Sequence, residues 1–240
     1  MSSNDPFSIE DPAKRAQLMK LLCGGALSSM PVGIAQAFWF GSSSRELAED
    51  RSIATLKGEV LVNGTLANKK TRIHAGDTVR TGDKSEIIFA VGKDSFLMHA
   101  NSELEISGAD YFIKELRLLT GRLLSVFGNR QAEQPLNLTA STATIGIRGT
   151  GVYLEVEPDL TYLCTCYGQV ALSSNTDPND SELISAIKHE GPRYISNKPS
   201  KGTRIRPAPI IDHTDAELIL LEAIVGRDPP KSFLSAYSRE

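Results

Sequence analysis

From Ile53 to Ser173 the apolar residues come in short runs rich in Val, Ile, Leu, Thr and Tyr, each closed by glycine, aspartate or asparagine. That pattern predicts many short, mainly antiparallel strands in an all-β sandwich or roll, with no long helix among them. The hairpin signal is clearest where Lys57 to Val62 leads into Asn63-Gly64, the dipeptide best able to take the positive φ angles of a type I′ turn. Glycine recurs at Gly76-Asp77, Gly82-Asp83, Gly92-Lys93-Asp94, Gly108, Gly121, Gly128-Asn129 and Gly168, where it marks turns rather than a ligand cradle. Strands are expected at Glu86 to Val91, Ser95 to His99, Glu103 to Ser107, Glu115 to Leu119 and Arg122 to Phe127. Tyr153 to Glu157 and Tyr162 to Leu172 form a closing pair around Pro158-Asp159. Residues 52–174 behave as one β domain.

After Ser174 the pattern changes. Residues 175–180 are polar with nothing to bury, and Pro192, Pro199, Pro207 and Pro209 in a basic setting predict an extended tail laid over the domain. Within this C-terminal extension, residues 175–240, one helix is specified over about 214–225. Thr214 and Glu217 make a capping box, Gly226 and Pro229-Pro230 supply the stop, and Leu218, Leu221 and Val225 share a face. So short a helix needs the β domain to pack against.

The N-terminus reads as an export signal. Lys14, Arg15 and Lys20 precede an apolar, small-residue run that ends in Ala35-Gln36-Ala37, an A-x-A cleavage pattern, so residues 1–37 are expected to direct the chain to the periplasm or beyond. The competing reading is an uncleaved inner-membrane anchor: Leu21 to Phe40 has about the 20 residues a membrane helix needs, and Phe38-Trp39-Phe40 suits a headgroup belt.

Charge narrows the partners. The formal charge of −3 comes from 26 basic and 29 acidic residues mixed along the chain, so no clustered cationic face offers itself to a phosphate backbone and nucleic acid is not expected. With 6% aromatic residues and one tryptophan, a stacked-ring carbohydrate platform is not expected either. The basic residues Lys188, Arg193, Lys198, Lys201, Arg204 and Arg206 read as a solvated tail, because prolines and a glycine break the face they would need for an acidic polymer or lipid surface.

Three groups of residues across Ile53 to Leu172 resemble the FecR domain family of periplasmic signalling proteins. The first is Gly76-Asp77-Thr78-Val79-Arg80-Thr81-Gly82 with Gly92-Lys93-Asp94-Ser95 and Asn101-Ser102-Glu103-Leu104-Glu105-Ile106. The second is Leu119-Thr120-Gly121-Arg122-Leu123. The third is Thr144-Ile145-Gly146-Ile147-Arg148-Gly149-Thr150 with Tyr153-Leu154-Glu155-Val156 and Cys166-Tyr167-Gly168-Gln169-Val170. The best-known members hold a sigma factor on a cytoplasmic segment, then span the membrane once. Here about twenty residues precede the apolar run, fewer than the roughly 40 an independent fold needs. The resemblance therefore implies the outer half alone: a non-enzymatic module that recognises an envelope protein, an envelope polymer or a small ligand, with no cofactor.

Few residues offer chemistry. Gly146-Ile147-Arg148-Gly149-Thr150-Gly151 has the order G-x-x-G-x-G and leads into a strand, so it lacks the helix N-terminus on which dinucleotide motifs depend and reads as glycines at a bend or bulge. Arg148, between Ile147 and Gly149, is expected to be half buried and to brace carbonyls, or else to meet an anion. Asp77, Asp83 and Asp94 sit beside glycines and read as solvated turn residues, and His213-Thr214-Asp215 reads as a helix start. Cys164-Thr165-Cys166 would place two thiols on one strand face with Tyr162. They can be buried small hydrophobes, a reducible disulfide, or two soft metal ligands needing a third and fourth from His74, His99, His189 or His213. No nucleophile elbow, zinc-type His pair or recognisable carboxylate pair points to an enzyme. The leading expectation is an exported binding or sensing module. The alternatives are a thiol-dependent redox or assembly factor using Cys164 and Cys166, and a structural protein that assembles through a sheet edge.

Overall fold

The computed structural model describes residues 47, 51–130 and 135–235. Contacts divide the chain into Met1–Ser43 and Ser44–Glu240, and all described residues belong to the second unit. The export-signal or anchor segment, residues 1–37, lies outside the described residues. Among the described residues no helix is long and apolar enough to cross a membrane.

The fold is all-β. Its strands are β1 Ile53–Lys57, β2 Val60–Val62, β3 Thr65–Leu66, β4 Thr78–Thr81, β5 Glu86–Val91, β6 Asp94–Met98 and β7 Glu103–Ala109. They continue with β8 Phe112–Val126, β9 Leu136–Thr139, β10 Ala143–Val156, β11 Leu160–Ser174, β12 Ser181–Ala186, β13 Arg193–Ser200 and β14 Thr203–Pro207. Two helices follow, α1 Asp215–Ile224 and α2 Lys231–Ser235. Every strand pairing is antiparallel except β8 with β9. The predicted Asn63-Gly64 turn closes the β2–β3 hairpin with φ of +51° and +77°.

Three strands of 14 or 15 residues organise the rest. β8 pairs with β7 and β9 through its first part and with β10 and β6 beyond Gly121. The sequence reads Gly121 as a break between two strands; the backbone instead runs through it at φ +89°, with a register shift against β7. Bulges of this kind let one strand serve two sets of partners and bend the sheet back on itself.

Residues 181–207, read from the sequence as an extended tail, contain three strands. β12 and β13 both add to β11, and β14 pairs with β13 across Lys201-Gly202, whose φ angles of +53° and +89° suit a type I′ turn. The prolines are tolerated because β13 and β14 carry them at strand ends or where pairing is interrupted.

Alternation along the central strands creates two apolar layers. Phe96, Leu123, Val152, Leu154, Leu163 and Val170 join a main core fed by nearly every strand. Leu97, Leu124, Tyr153, Tyr162 and Cys164 point the other way, into a second cluster closed by Leu218, Leu221 and Ile224 of α1 and Phe233 of α2. Helix α1 has the predicted capping box: the Glu217 amide donates to Thr214 Oγ1 and the Glu217 carboxylate accepts from the Thr214 amide. The buried face includes Ile224 where the sequence suggests Val225, which is only half buried. Burial of each of these large side chains contributes on the order of 2 kcal/mol.

The residues of the first two groups singled out in the sequence meet in one backbone joint. The Thr81 amide donates to the Ser102 carbonyl (2.9 Å) and the Asn101 amide to the Gly82 carbonyl (3.1 Å). Thr81 Oγ1 accepts from the Ser102 amide and Ser102 Oγ accepts from the Arg122 amide, both at 2.9 Å. A Cβ on Gly121 would lie 2.5 Å from Ser102 Cα, against backbone that cannot give way. Gly121→Ala is therefore expected to lower unfolding free energy by about 2–4 kcal/mol in urea titrations; an unchanged midpoint would contradict this account of the joint.

Candidate functional site

Strand β11 fixes the two thiols. Tyr162 and Cys164 face the helices by ordinary alternation. Opposite Gly151 and Val152 of β10 the register slips, with Gly151 opposite Tyr167 and Val152 opposite Thr165. The extra residue is Cys166, and the bulge puts Cys166 and Tyr167 together in the helix-side cluster. Both thiols are free and fully buried.

Two histidines come to them from the C-terminal part of the chain. His189 lies between β12 and β13 at φ +57°, and its amide donates to the Cys166 carbonyl (2.8 Å), which pins the loop over the strand. Glu190 tightens the same loop, its carboxylate accepting from the amides of Ile187 and Lys188. His213 precedes α1 and stacks on Tyr153, ring centroids 4.5 Å apart. Its segment is held by Tyr162, whose hydroxyl donates to the Pro209 carbonyl (2.9 Å) and accepts from the Ile211 amide (3.3 Å). His189 Nδ1 then lies 3.7 Å from Cys164 Sγ and 3.0 Å from His213 Nε2. One donor atom from each of Cys164, Cys166, His189 and His213 falls within 4.8 Å of all the others.

The outward nitrogens are committed elsewhere. His189 Nε2 is 2.5 Å from Asp215 Oδ1 and His213 Nδ1 is 2.6 Å from the Ile211 carbonyl oxygen. Both partners are acceptors, so each ring places its N–H there and turns a lone pair inward. The inner nitrogens thus face each other as two acceptors, beside two sulfurs. This arrangement calls for a positively charged species among the four, a proton or a metal ion.

Electrostatics follow the same geometry. Hydrogen bonding with Cys166 is the chief cause that lowers the Cys164 thiol to about 4, against the opposing effect of burial and with help from His189 and His213. Burial pushes Cys166 the other way. Burial also disfavours charge on His189, but its bonds to Asp215 and Cys164 outweigh that and raise it to about 9.

Of the residues singled out from sequence, Cys164, Cys166 and Tyr162 meet here, and Tyr162 serves as the anchor of the His213 segment. Two of the four histidines arrive; the others do not, as His74 lies by Asp77 and Tyr111, and His99 by Glu86. Thr214 caps α1 as expected, while Asp215 holds His189. Arg148 is exposed rather than half buried: Ile145 and Ile147 take the inward positions of β10 and alternation turns Arg148 out. The glycines around it make the expected bulge, with Gly149 at φ +58°. Asp94 is not a solvated turn residue but 2% exposed, accepting from Arg130 and from the Gly128 amide (3.0 Å). Arg193 pairs with Glu182, and Arg204 with Asp177, so part of the basic stretch is neutralised. A surface cleft of ≈ 290 Å³ lined by Arg117, Thr139, Ser141 and Asn175 includes none of the four donors.

No protein-family profile matches the chain, and no curated protein matches it. Two crystal structures of a candidate anti-sigma factor from Parabacteroides distasonis, at 1.65 and 2.50 Å resolution, are similar over 55% of this chain at 9% identity with a TM-score of 0.44. The similarity spans 58% of that protein's length.

The charge arrangement has a measurable signature in reduced, metal-free protein. Depression of Cys164 contributes stability that is complete above its usual 9.0 and is lost progressively as pH falls from there through about 4, and elevation of His189 contributes stability that is complete below its usual 6.5 and fades as pH rises through about 9. Ultraviolet thiolate absorbance is expected to show one transition near pH 4 that Cys164→Ser removes. A sole transition near the ordinary thiol value of 9.0 would contradict the arrangement.

Proposed function

We propose that this chain is an exported, non-enzymatic binding or sensing module of the bacterial cell envelope, of the kind that FecR-type signalling proteins carry outside the membrane. The observation that carries the reading is the convergence of the FecR-like residues. Thr81-Gly82, Asn101-Ser102 and Gly121-Arg122 are far apart in sequence yet bond to one another. Those of the third group also meet: the Thr150 hydroxyl donates to the Tyr167 carbonyl, and a Cβ on Gly168 would meet the Gly149 carbonyl oxygen and Thr150 Cβ at 2.7 Å. Their meeting in two backbone joints supports reading them as features of one fold.

Burial favours binding over thiol turnover. Cys164 and Cys166 lie at 0% exposure beneath the helical segment, where a substrate disulfide has no approach. A module without turnover would use its exposed loops and strand edges for recognition.

Fractionation of bacteria expressing the full chain, combined with intact-mass measurement, tests the reading. The expected result is protein outside the cytoplasm with a mass that begins at Phe38. Full-length protein confined to the cytoplasm would overturn it.

A further inference from the structure

We propose that Cys164, Cys166, His189 and His213 form a closed, tetrahedral site for one zinc-class divalent cation, and that the ion fastens the segment carrying α1 to the face of the β-sheet.

The donors have the number and type for it. Two sulfurs and two imidazole nitrogens are a common structural zinc set, and ideal bond lengths would place tetrahedral nitrogens about 3.3 Å and sulfurs about 3.8 Å apart. The observed 3.0 Å between the nitrogens and 3.7 Å between Cys164 Sγ and His189 Nδ1 are close to these values, and the remaining donors, all within 4.8 Å of one another, would draw in by up to about 1 Å around the ion. The orientation of the two rings is a second indication. Each histidine is oriented by an acceptor on its other nitrogen, a carboxylate for His189 and a backbone carbonyl for His213, which is how metal-bound histidines are held. Charge also balances: two thiolates neutralise a dication, so an apolar cluster gains no net charge from the four ligands and the ion. On binding, two bonds to sulfur and two to nitrogen form as the hydrated ion sheds its water ligands, and any thiol proton and any proton held between the imidazoles leave to solvent.

Four protein ligands leave no open position for water or substrate, so the ion's role is structural or sensory. The ligands come from three places: β11, the loop before β13, and the segment before α1. Binding therefore closes loops of about 25 residues and makes docking of the C-terminal segment depend on the ion. This inference does not rest on the proposed location, because ion binding is measured on purified protein wherever the chain resides.

The test is titration of full-length, reduced chain with zinc against a chromophoric chelator, and with cobalt(II) as a spectroscopic substitute. One ion per chain is expected, with a sulfur-to-cobalt charge-transfer band and intense tetrahedral visible bands. His213→Gln, which changes a half-buried ring, should weaken binding and shift the cobalt bands as a water takes the vacated position, while circular dichroism stays that of a β protein. Asp215→Asn should retain the charge-transfer band and weaken binding about 10–100-fold, as expected of a positioning residue. Cys164→Ser should lose the charge-transfer intensity of one sulfur; if it fails to fold, the wild-type cobalt spectrum and His213→Gln decide. No binding by the reduced chain, a cobalt spectrum without sulfur ligation, or binding unaffected by His213→Gln would each overturn the proposal.

Discussion

The β10–β11 pair must be covered twice. These strands alternate large apolar side chains on both faces, Leu154 and Leu163 on one and Tyr153 and Tyr162 on the other, and a sheet buried on both sides is stable only with a layer against each. The bent sheet supplies the first layer from its own strands. The second comes from the chain's C-terminal part, through Leu218, Leu221, Ile224 and Phe233. Ser95 Oγ donates to the Leu221 carbonyl (2.7 Å) and Tyr167 hydroxyl donates to Glu222, so the cover is also bonded to the sheet.

Polar groups in that second layer have to be satisfied or they oppose the docking that apolar burial favours. Glu222 is 4% exposed, and it is answered by Tyr167 and Arg227. The histidines are answered on their outer nitrogens by Asp215 and Ile211, and on their inner nitrogens only by each other and the thiols. A cation at that point completes the layer. The cluster thus stands where sheet, loop and helix segment must agree, and its occupancy decides how firmly the cover is held.

Legibility in the sequence followed the range of the interactions. Local rules placed the Asn63-Gly64 hairpin, the capping box at Thr214 and most strands of the first domain, because turn chemistry and alternation act over a few residues. Gly121 was misleading, since a glycine that ends a strand and one that lets a strand bulge look alike until Ser102 is seen against it. The strands after Ser174 were hidden by prolines, which sit at strand ends or where pairing is interrupted. Cys164 and Cys166 were legible as a pair, but the 25 residues to His189 and another 24 to His213 form no recognised spacing. The one local hint was His213 just before a capped helix, where Asp215 in the first turn binds an imidazole instead of serving only the helix.

A module of this construction has a β body and, with the proposed site filled, a cover whose attachment depends on the ion. Hydrogen-exchange mass spectrometry on the full chain, before and after zinc chelation under reducing conditions, measures that attachment directly. The account predicts faster exchange in residues 187–191 and 209–224 after chelation, with β8 and the main core protected as before. Identical exchange in both states, or equal loss of protection throughout the sheet, would contradict it.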